Sequence, residues 1–201
     1  AENPFHVTIL PNPSHLEAVS PVAVGKSFAR GGYKNSCPIQ IHGDGAFAGQ
    51  GIIPETLQMS KLAGYNAGGS IHLVTNNQVA FTSERNTARS SMYTTDIAIG
   101  LGLPVIRVNS SDIKSIIRAG KIASRFREQF GNDILIDMIC FRKHGHNEMD
   151  DPTFTNPDMY KIIHNRKTAP DQFVDELVEQ NTSTKEEMES FINSKKDEWN
   201  E

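Results

Sequence analysis

Four glycines crowd around one acidic residue in IHGDGAFAGQG, residues 41–51. A glycine-rich turn between a strand and a helix usually cradles phosphate with bare backbone N–H groups. Asp44, at the centre of that turn, would repel the same phosphate unless a positive charge lay between them. A hard divalent cation resolves the conflict. Magnesium prefers six oxygens and commonly joins one or two carboxylates to substrate phosphates. Asn76 and Asn77 follow the next strand-like segment, so Asp44, Asn77 and the Val79 carbonyl are the expected metal ligands. The backbone at Gly45 and Ala46 would then approach a diphosphate closely.

Two other readings of this loop stay open at the level of residues. Gly43-x-Gly45-x-x-x-Gly49 resembles a variant of the dinucleotide fingerprint, but a lone glycine pattern is weak. Asp44 would then face a pyrophosphate without a counter-ion, and the next strand ends in Asn76-Asn77 rather than in the acid that grips a ribose hydroxyl. The third reading is an ordinary tight turn.

HGHNEMDD, residues 144–151, can be read as a zinc cluster, as a polar loop, or as a loop offering donors to an anion. No third histidine or cysteine has a recognisable zinc spacing. In NPSHLEAVSP the Ser14-x-x-Glu17 pattern is a capping box and predicts a helix from His15. The positive end of a helix disfavours the imidazolium, so a neutral His15 could donate an N–H to a substrate oxygen; read from the residues alone it is equally a histidine that happens to follow a cap. Ser20 is a weaker candidate nearby. Arg89, Ser90 and Ser91 read from residue types as a solvated loop.

The elements that must position these groups alternate. FHVTIL (5–10) has strand alternation, CPIQIHG reads as a buried strand, and a helix is expected over about 54–63. SIHLVTN and PVIRVN are further strands, joined by a polar loop. Asp112 caps a long helix whose Ile113, Ile116, Ile117, Gly120, Ala123 and Phe126 share one face. DILIDMICF is almost wholly apolar, as suits a strand covered on both sides. The expected fold is α/β, a doubly wound parallel sheet over residues 1–152. A helical extension follows over 153–201, with a second capping box at Thr184-x-x-Glu187.

Composition narrows the classes. The chain has 201 residues, 37% of them hydrophobic and 22% charged, enough for one sizeable core. Twenty basic against 24 acidic residues, with no basic stripe, argue against a nucleic-acid partner. The longest apolar run, residues 97–106, is half of the roughly 20 residues a membrane helix needs, so no membrane is expected. Two distant cysteines suggest a reducing compartment. Lacking an initiator methionine, the sequence reads as a piece of a longer protein, with any targeting segment out of view.

Taken together, GDG followed by Asn76-Asn77, with NPSHLEAVSP, HGDGAFAGQG, NNQVAFT, ARSS and FRKHGHNEMDDP, resembles the thiamine diphosphate-dependent dehydrogenases of the 2-oxoglutarate and 2-oxoadipate complexes. The resemblance runs from about residue 5 to beyond Pro170. It implies thiamine diphosphate and Mg2+ as cofactors, and oxidative decarboxylation of a 2-oxo acid with acyl transfer to a lipoyl-bearing acyltransferase. It also implies a homodimer, and a location in the mitochondrial matrix or, in bacteria, the cytoplasm. By resemblance Arg142 and His146 contact the diphosphate, with His144 behind them. His15 lies in the active centre, and Arg89 to Ser91 order near the cofactor. The glutamate that activates the aminopyrimidine belongs to a separate pyrimidine-binding domain of the same or a second chain. Many members carry alanine where this chain has Gly45.

Overall fold

The computed structural model describes residues 6–147 and 149–200, and Tyr33 by its backbone only. A parallel sheet forms its centre: β1 (Ile39–Gly43), β2 (Ile71–Asn76), β5 (Val105–Asn109) and β6 (Ile134–Ile139), in the spatial order β1-β2-β6-β5. Ile39 lies beside Ile71, Ile71 beside Ile134 and Val105 beside Leu135, so all four strands end at one edge. A second, two-stranded antiparallel sheet pairs β3 (Val79–Ala80) with β4 (Ser83–Glu84).

Helices cover both faces. On one, Phe47 of α2 (Asp44–Gly49) and Ile53 and Leu57 of α3 (Ile52–Met59) pack with Val74 and Leu135. Ala98 of α5 (Asp96–Gly100) and Leu103 complete this core, and α4 (Arg85–Ala88) lies in the connection before it. On the other face α6 (Ile113–Phe130) sets Ala119 and Ala123 against Val108, Ile134 and Ile136, with Ile116 and Phe126 beside them. Asp112 caps α6 by accepting from the Ser115 N–H at 2.9 Å, and Gly131 ends it at φ +60°. The buried stripe is rotated from the expected one: Ile117 is exposed and Ala119 takes its place inside.

Two expected elements differ. Residues 6–10 form no strand, and Val7 and Ile9 are exposed; Phe5 lies outside the described residues. Alternation alone gives no strand where no neighbour offers a ladder. The first helix, α1, spans Val19–Ala29 and does not start at His15; its N-cap is Ala18, without a side-chain cap. Pro21 is the reason. A helix from His15 would put that proline in its interior, without an N–H and against the preceding turn, whereas from Val19 it falls in the tolerant first turn. Gly31 closes the segment at φ +92°.

β1 is an edge strand with its polarity inverted: Ile39 and Ile41 are exposed while Gln40 and His42 are buried. Beyond Pro152 three helices follow where two were expected: α7 (Pro157–His164), α8 (Ala169–Glu179) and α9 (Lys185–Asn200). α7 is anchored by the fully buried Tyr160, and α8 meets α6 through a Lys114–Glu176 ion pair of 2.7 Å. The capping box before α9 forms as expected, Thr184 and Glu187 exchanging bonds of 3.0 and 3.2 Å.

The small β3–β4 sheet sits directly on α2. A Cβ built on Gly45 would lie 2.6 Å from the Ala80 Cβ and 3.0 Å from its Cα. Only one of these two positions can carry a side chain. Gly45→Ala alone is therefore expected to destabilise the protein by about 1–3 kcal/mol through overpacking. Adding Ala80→Gly should return most of that loss, with a favourable coupling of at least about 0.5 kcal/mol. Denaturant unfolding of the two single variants and the double variant measures this; additive effects would show that the two positions do not compete.

Candidate cofactor and metal site

β1 passes into α2 without a loop, Gly43 in extended conformation and Asp44 as the first helical residue. Asp44 is thereby fixed at the carboxyl edge of the sheet, where open α/β sheets bind ligands. It is 2% exposed. Burial pushes its carboxyl above the ordinary aspartate range, opposed by the Arg89 guanidinium and by hydrogen bonds from the backbone of Asp44, Asn77 and Gly45. Arg89 Nη1 stands 3.6 Å from Asp44 Oδ2. Thr94 Oγ1 donates to the Asp44 carbonyl at 2.7 Å, so the loop after β4 clasps this residue at two points.

The neighbouring strand supplies the asparagines. Asn77 accepts from the Val79 N–H at 3.1 Å through Oδ1, a local turn that leaves a second lone pair on the same oxygen. Asn76 is buried, donating Nδ2 to Asp137 Oδ1 at 2.9 Å, while its own Oδ1 has no partner. Asp137, wholly buried on β6, also accepts from Thr95 Oγ1 at 3.0 Å and lies 3.5 Å from Arg107 Nε. Its charge fixes the Asn76 amide with nitrogen toward it and oxygen away. Cys140 follows β6; burial and the Asp44 and Asp137 charges push its thiol up to about 11. It stays protonated at neutral pH, unlike a nucleophilic thiolate.

The third contribution comes after β6. Arg142 Nη2 donates to the Phe81 carbonyl at 3.0 Å, and the His146 ring meets the Phe81 ring edge-on at 4.7 Å between centroids. Both therefore converge on the turn that begins with Asn77 and Val79. In that turn Gln78 and Phe81 have positive φ, +66° and +57°. Left-handed backbone at non-glycine residues is uncommon and clusters at functional sites. His144 is exposed. Glu148, part of the same motif, lies outside the described residues. Among the described residues no group of three or more His, Cys, Asp or Glu side chains could hold a metal.

The site thus brings together Asp44, Gly45, Ala46, Asn77, Val79, Arg142 and His146. Among the described residues, Arg142 of this site and two of its neighbours carry buried polar atoms without partners: Arg142 Nε, Asn76 Oδ1 and Arg89 Nε. One acceptor and two cationic donors beside an under-compensated carboxylate suit a metal-bound anion. The oxygen-rich donor set, carboxylate, amide and carbonyl, is that of a hard cation such as Mg2+.

His15 is placed differently from expectation. It is exposed, on a turn ahead of α1, and gains nothing from a helix dipole. Glu17, expected to close a capping box with Ser14, turns inward instead, at φ +66°, and its Oε2 lies 2.7 Å from His42 Nδ1. Ser20, the weaker candidate, is buried and donates to the same Glu17 oxygen at 3.2 Å. From His42 the chain continues through His72 at 3.0 Å to Asp133 at 3.3 Å, where Asp133 also accepts from the Ser70 N–H at 2.7 Å. This buried Glu–His–His–Asp series ties the His15 turn to β1, two residues ahead of Asp44.

Sequence reasoning missed Asp137, Thr94, the histidine series and the Arg89–Asp44 pair. A lone aspartate in the apolar run DILIDMICF was a usable signal for Asp137, since a buried charge needs partners. The others pair residues from 25 to 61 positions apart and leave no local mark.

Comparison with known proteins agrees with the geometry. The family model "Dehydrogenase E1 component" matches residues 3–201. A relative named 2-oxoadipate dehydrogenase complex component E1 from Danio rerio is 44% identical over 210 residues, covering 96% of this chain and 23% of the relative. The protein of that name from Homo sapiens is also 44% identical, over 209 residues, with the same coverage. The 2-oxoglutarate dehydrogenase E1/E2 component of Corynebacterium glutamicum is 42% identical over 193 residues, covering 92% of this chain and 16% of the relative. The chain therefore spans about a quarter of the length, or less, of these relatives. With the family model matching nearly its whole length, the chain belongs to the dehydrogenase E1 component family.

Proposed function

We propose that this chain supplies the metal–diphosphate half of the cofactor site of a thiamine diphosphate-dependent 2-oxo acid dehydrogenase. Dehydrogenase E1 components use thiamine diphosphate with a divalent metal, usually Mg2+. The observation that carries the reading is the Asp44 carboxylate, buried at the strand edge, ringed by backbone amides, with a single basic side chain 3.6 Å away. Asp44 and Asn77 would each give the metal one side-chain oxygen and Val79 a carbonyl. The backbone at Gly45 and Ala46, together with Arg142 and His146, would hold the diphosphate. The bound cofactor supplies the carbanion chemistry of decarboxylation; the protein positions it and excludes water.

The substrate we infer is a 2-oxo dicarboxylic acid, 2-oxoglutarate or 2-oxoadipate, with the acyl group passed to a lipoyl-bearing acyltransferase. The names of the relatives, components of 2-oxoadipate and 2-oxoglutarate dehydrogenases, support this class. In the proposal the pyrimidine end of the cofactor is met by a further domain of the same or a second chain, in a homodimer. The compartment is the mitochondrial matrix for a eukaryotic source and the cytoplasm for a bacterial one. His15 is the proposed substrate contact, an exposed imidazole on a turn held from below by Glu17.

Three measurements on the full-length protein test these assignments. Asp44→Ala and Asn77→Ala should each weaken Mg2+-dependent thiamine diphosphate binding by more than about 100-fold, the upper end of what losing an outer-shell partner costs. Unchanged affinity by calorimetry in either variant removes that residue from the metal shell.

His146→Ala should weaken cofactor binding about 10-fold or more, the worth of one hydrogen bond to a charged group, and His144→Ala far less. Equal losses, or a larger one at His144, would reverse the two roles.

His15→Ala should lower 2-oxo acid turnover by a factor of about 10² to 10³, as loss of one donor in a closed site does, with cofactor affinity nearly intact. Because His15 lies outside α1 and is exposed, the variant should fold normally. Normal turnover would remove His15 from the reaction.

A further inference from the structure

Asp44 faces a difficulty whenever no metal is bound. A carboxylate taken out of water without a counter-charge is strongly unfavourable, and breaking a buried pair leaves the same penalty behind. The residue that meets this need is Arg89, whose side chain is 7% exposed against 2% for Asp44. The contact is an ion pair at 3.6 Å and too long for a well-formed hydrogen bond. The guanidinium is also poorly served elsewhere, since among the described residues its buried Nε has no partner. A fork of five donors facing one carboxylate at that distance is a loose occupant.

The loop that carries Arg89 is built to let go. Its other fastenings are exposed bonds within its own length: Arg85 Nη2 to the Met92 carbonyl at 2.9 Å, Thr87 Oγ1 to the Glu84 carbonyl at 3.0 Å, and Ser91 Oγ to the Tyr93 carbonyl at 2.9 Å. Anchorage resumes at Tyr93, whose N–H donates to Asp96 Oδ2 at 2.9 Å and whose ring lies 3.7 Å from the Arg107 guanidinium, and at Thr94 and Thr95, which bond to the Asp44 carbonyl and to Asp137. Arg89 could therefore swing away while the sheet edge keeps its form.

We propose that Arg89 is a further residue of the cofactor site: a resident counter-ion that neutralises Asp44 before a divalent cation arrives, and that the cation displaces. The inference rests on the reading of Asp44 as a metal ligand. Guanidinium and metal compete for the same carboxylate, and two cations held against one buried anion repel each other. The displaced guanidinium, still rich in donors, is then free for the oxyanions that accompany the metal. Binding of metal alone is consequently weakened by the fraction of molecules in which Arg89 holds Asp44.

Titration of Mn2+, followed by electron paramagnetic resonance on full-length protein stripped of metal and cofactor, tests this. Arg89→Gln should bind Mn2+ about tenfold more tightly than the parent, as expected when nine-tenths of the molecules begin in the paired state. Arg89→Lys, which keeps the charge, should stay within a few-fold of the parent. Equal or weaker binding in Arg89→Gln overturns the proposal. If Arg89→Gln does not fold, hydrogen exchange of the parent decides: Mg2+ alone should speed exchange across residues 85–93, and slowed or unchanged exchange overturns it. Asp44→Asn separates the two levels of the argument. Loss of Mn2+ binding there keeps Asp44 as a ligand whatever Arg89 does, and retained binding removes both the ligand assignment and the counter-ion that depends on it.

Discussion

One buried carboxylate organises this domain. Asp44 is held at the end of a strand, almost without solvent, in a place where hydrophobic packing alone would never put a charge. Its surroundings read as responses to that charge. Backbone amides of α2 and of the Asn77 turn hydrogen-bond it, Arg89 pairs with it, and Thr94 holds its carbonyl. The compensation remains incomplete, which is why burial still raises its proton affinity. A divalent cation with its accompanying phosphate is the ligand class that would complete it.

Much of this was legible in the sequence where the information is local. The GDG segment and the Asn76-Asn77 pair each sit within a few residues of a strand end, so their types and spacing point to the elements and to the candidate chemistry. The cap at Asp112 and the box at Thr184 and Glu187 were likewise readable, because their partners lie three residues away. The capping box at Ser14 failed for a reason also present in the sequence: Pro21 forbids the helix that the box would begin. Glu17 then found a better partner in His42, a residue 25 positions ahead, and no local pattern announces such a choice. The strand reading of residues 5–10 failed because a strand needs a neighbour, and sequence alternation carries no information about one.

β1 shows the same limit from the other side. Its letters, IQIHG, suggested a buried strand, yet the polar pair is inside and the apolar pair outside. Gln40 and His42 are inside because each finds a bond there, Gln40 to Ser70 Oγ at 3.2 Å and His42 to both Glu17 and His72. Ile39 and Ile41 share a face with Ile71 and Leu73, but α6 lies over β5, β6 and β2 and stops short of this edge strand. Side-chain period fixes which residues share a face; only tertiary arrangement decides which face is covered.

The site divides into a rigid half and an adjustable one, and that division follows from the covalent path. Asn76 and Asp137 stand on the central strands β2 and β6, locked by ladder bonds and by one another, and Asp44 follows the edge strand β1 as the first residue of α2. Arg142 and His146, proposed to meet the diphosphate, follow β6 and touch through Phe81 a turn with two left-handed non-glycine residues, the same turn that carries Asn77 and Val79. Because the turn carries two of the three proposed metal ligands and also touches the proposed anion ligands, the arrangement has a thermodynamic consequence. On the proposed assignment, ordering this turn for one ligand reduces the ordering cost left for the next. Metal and diphosphate are therefore expected to bind cooperatively, with the strained turn from Asn77 to Phe81 as the physical link between them.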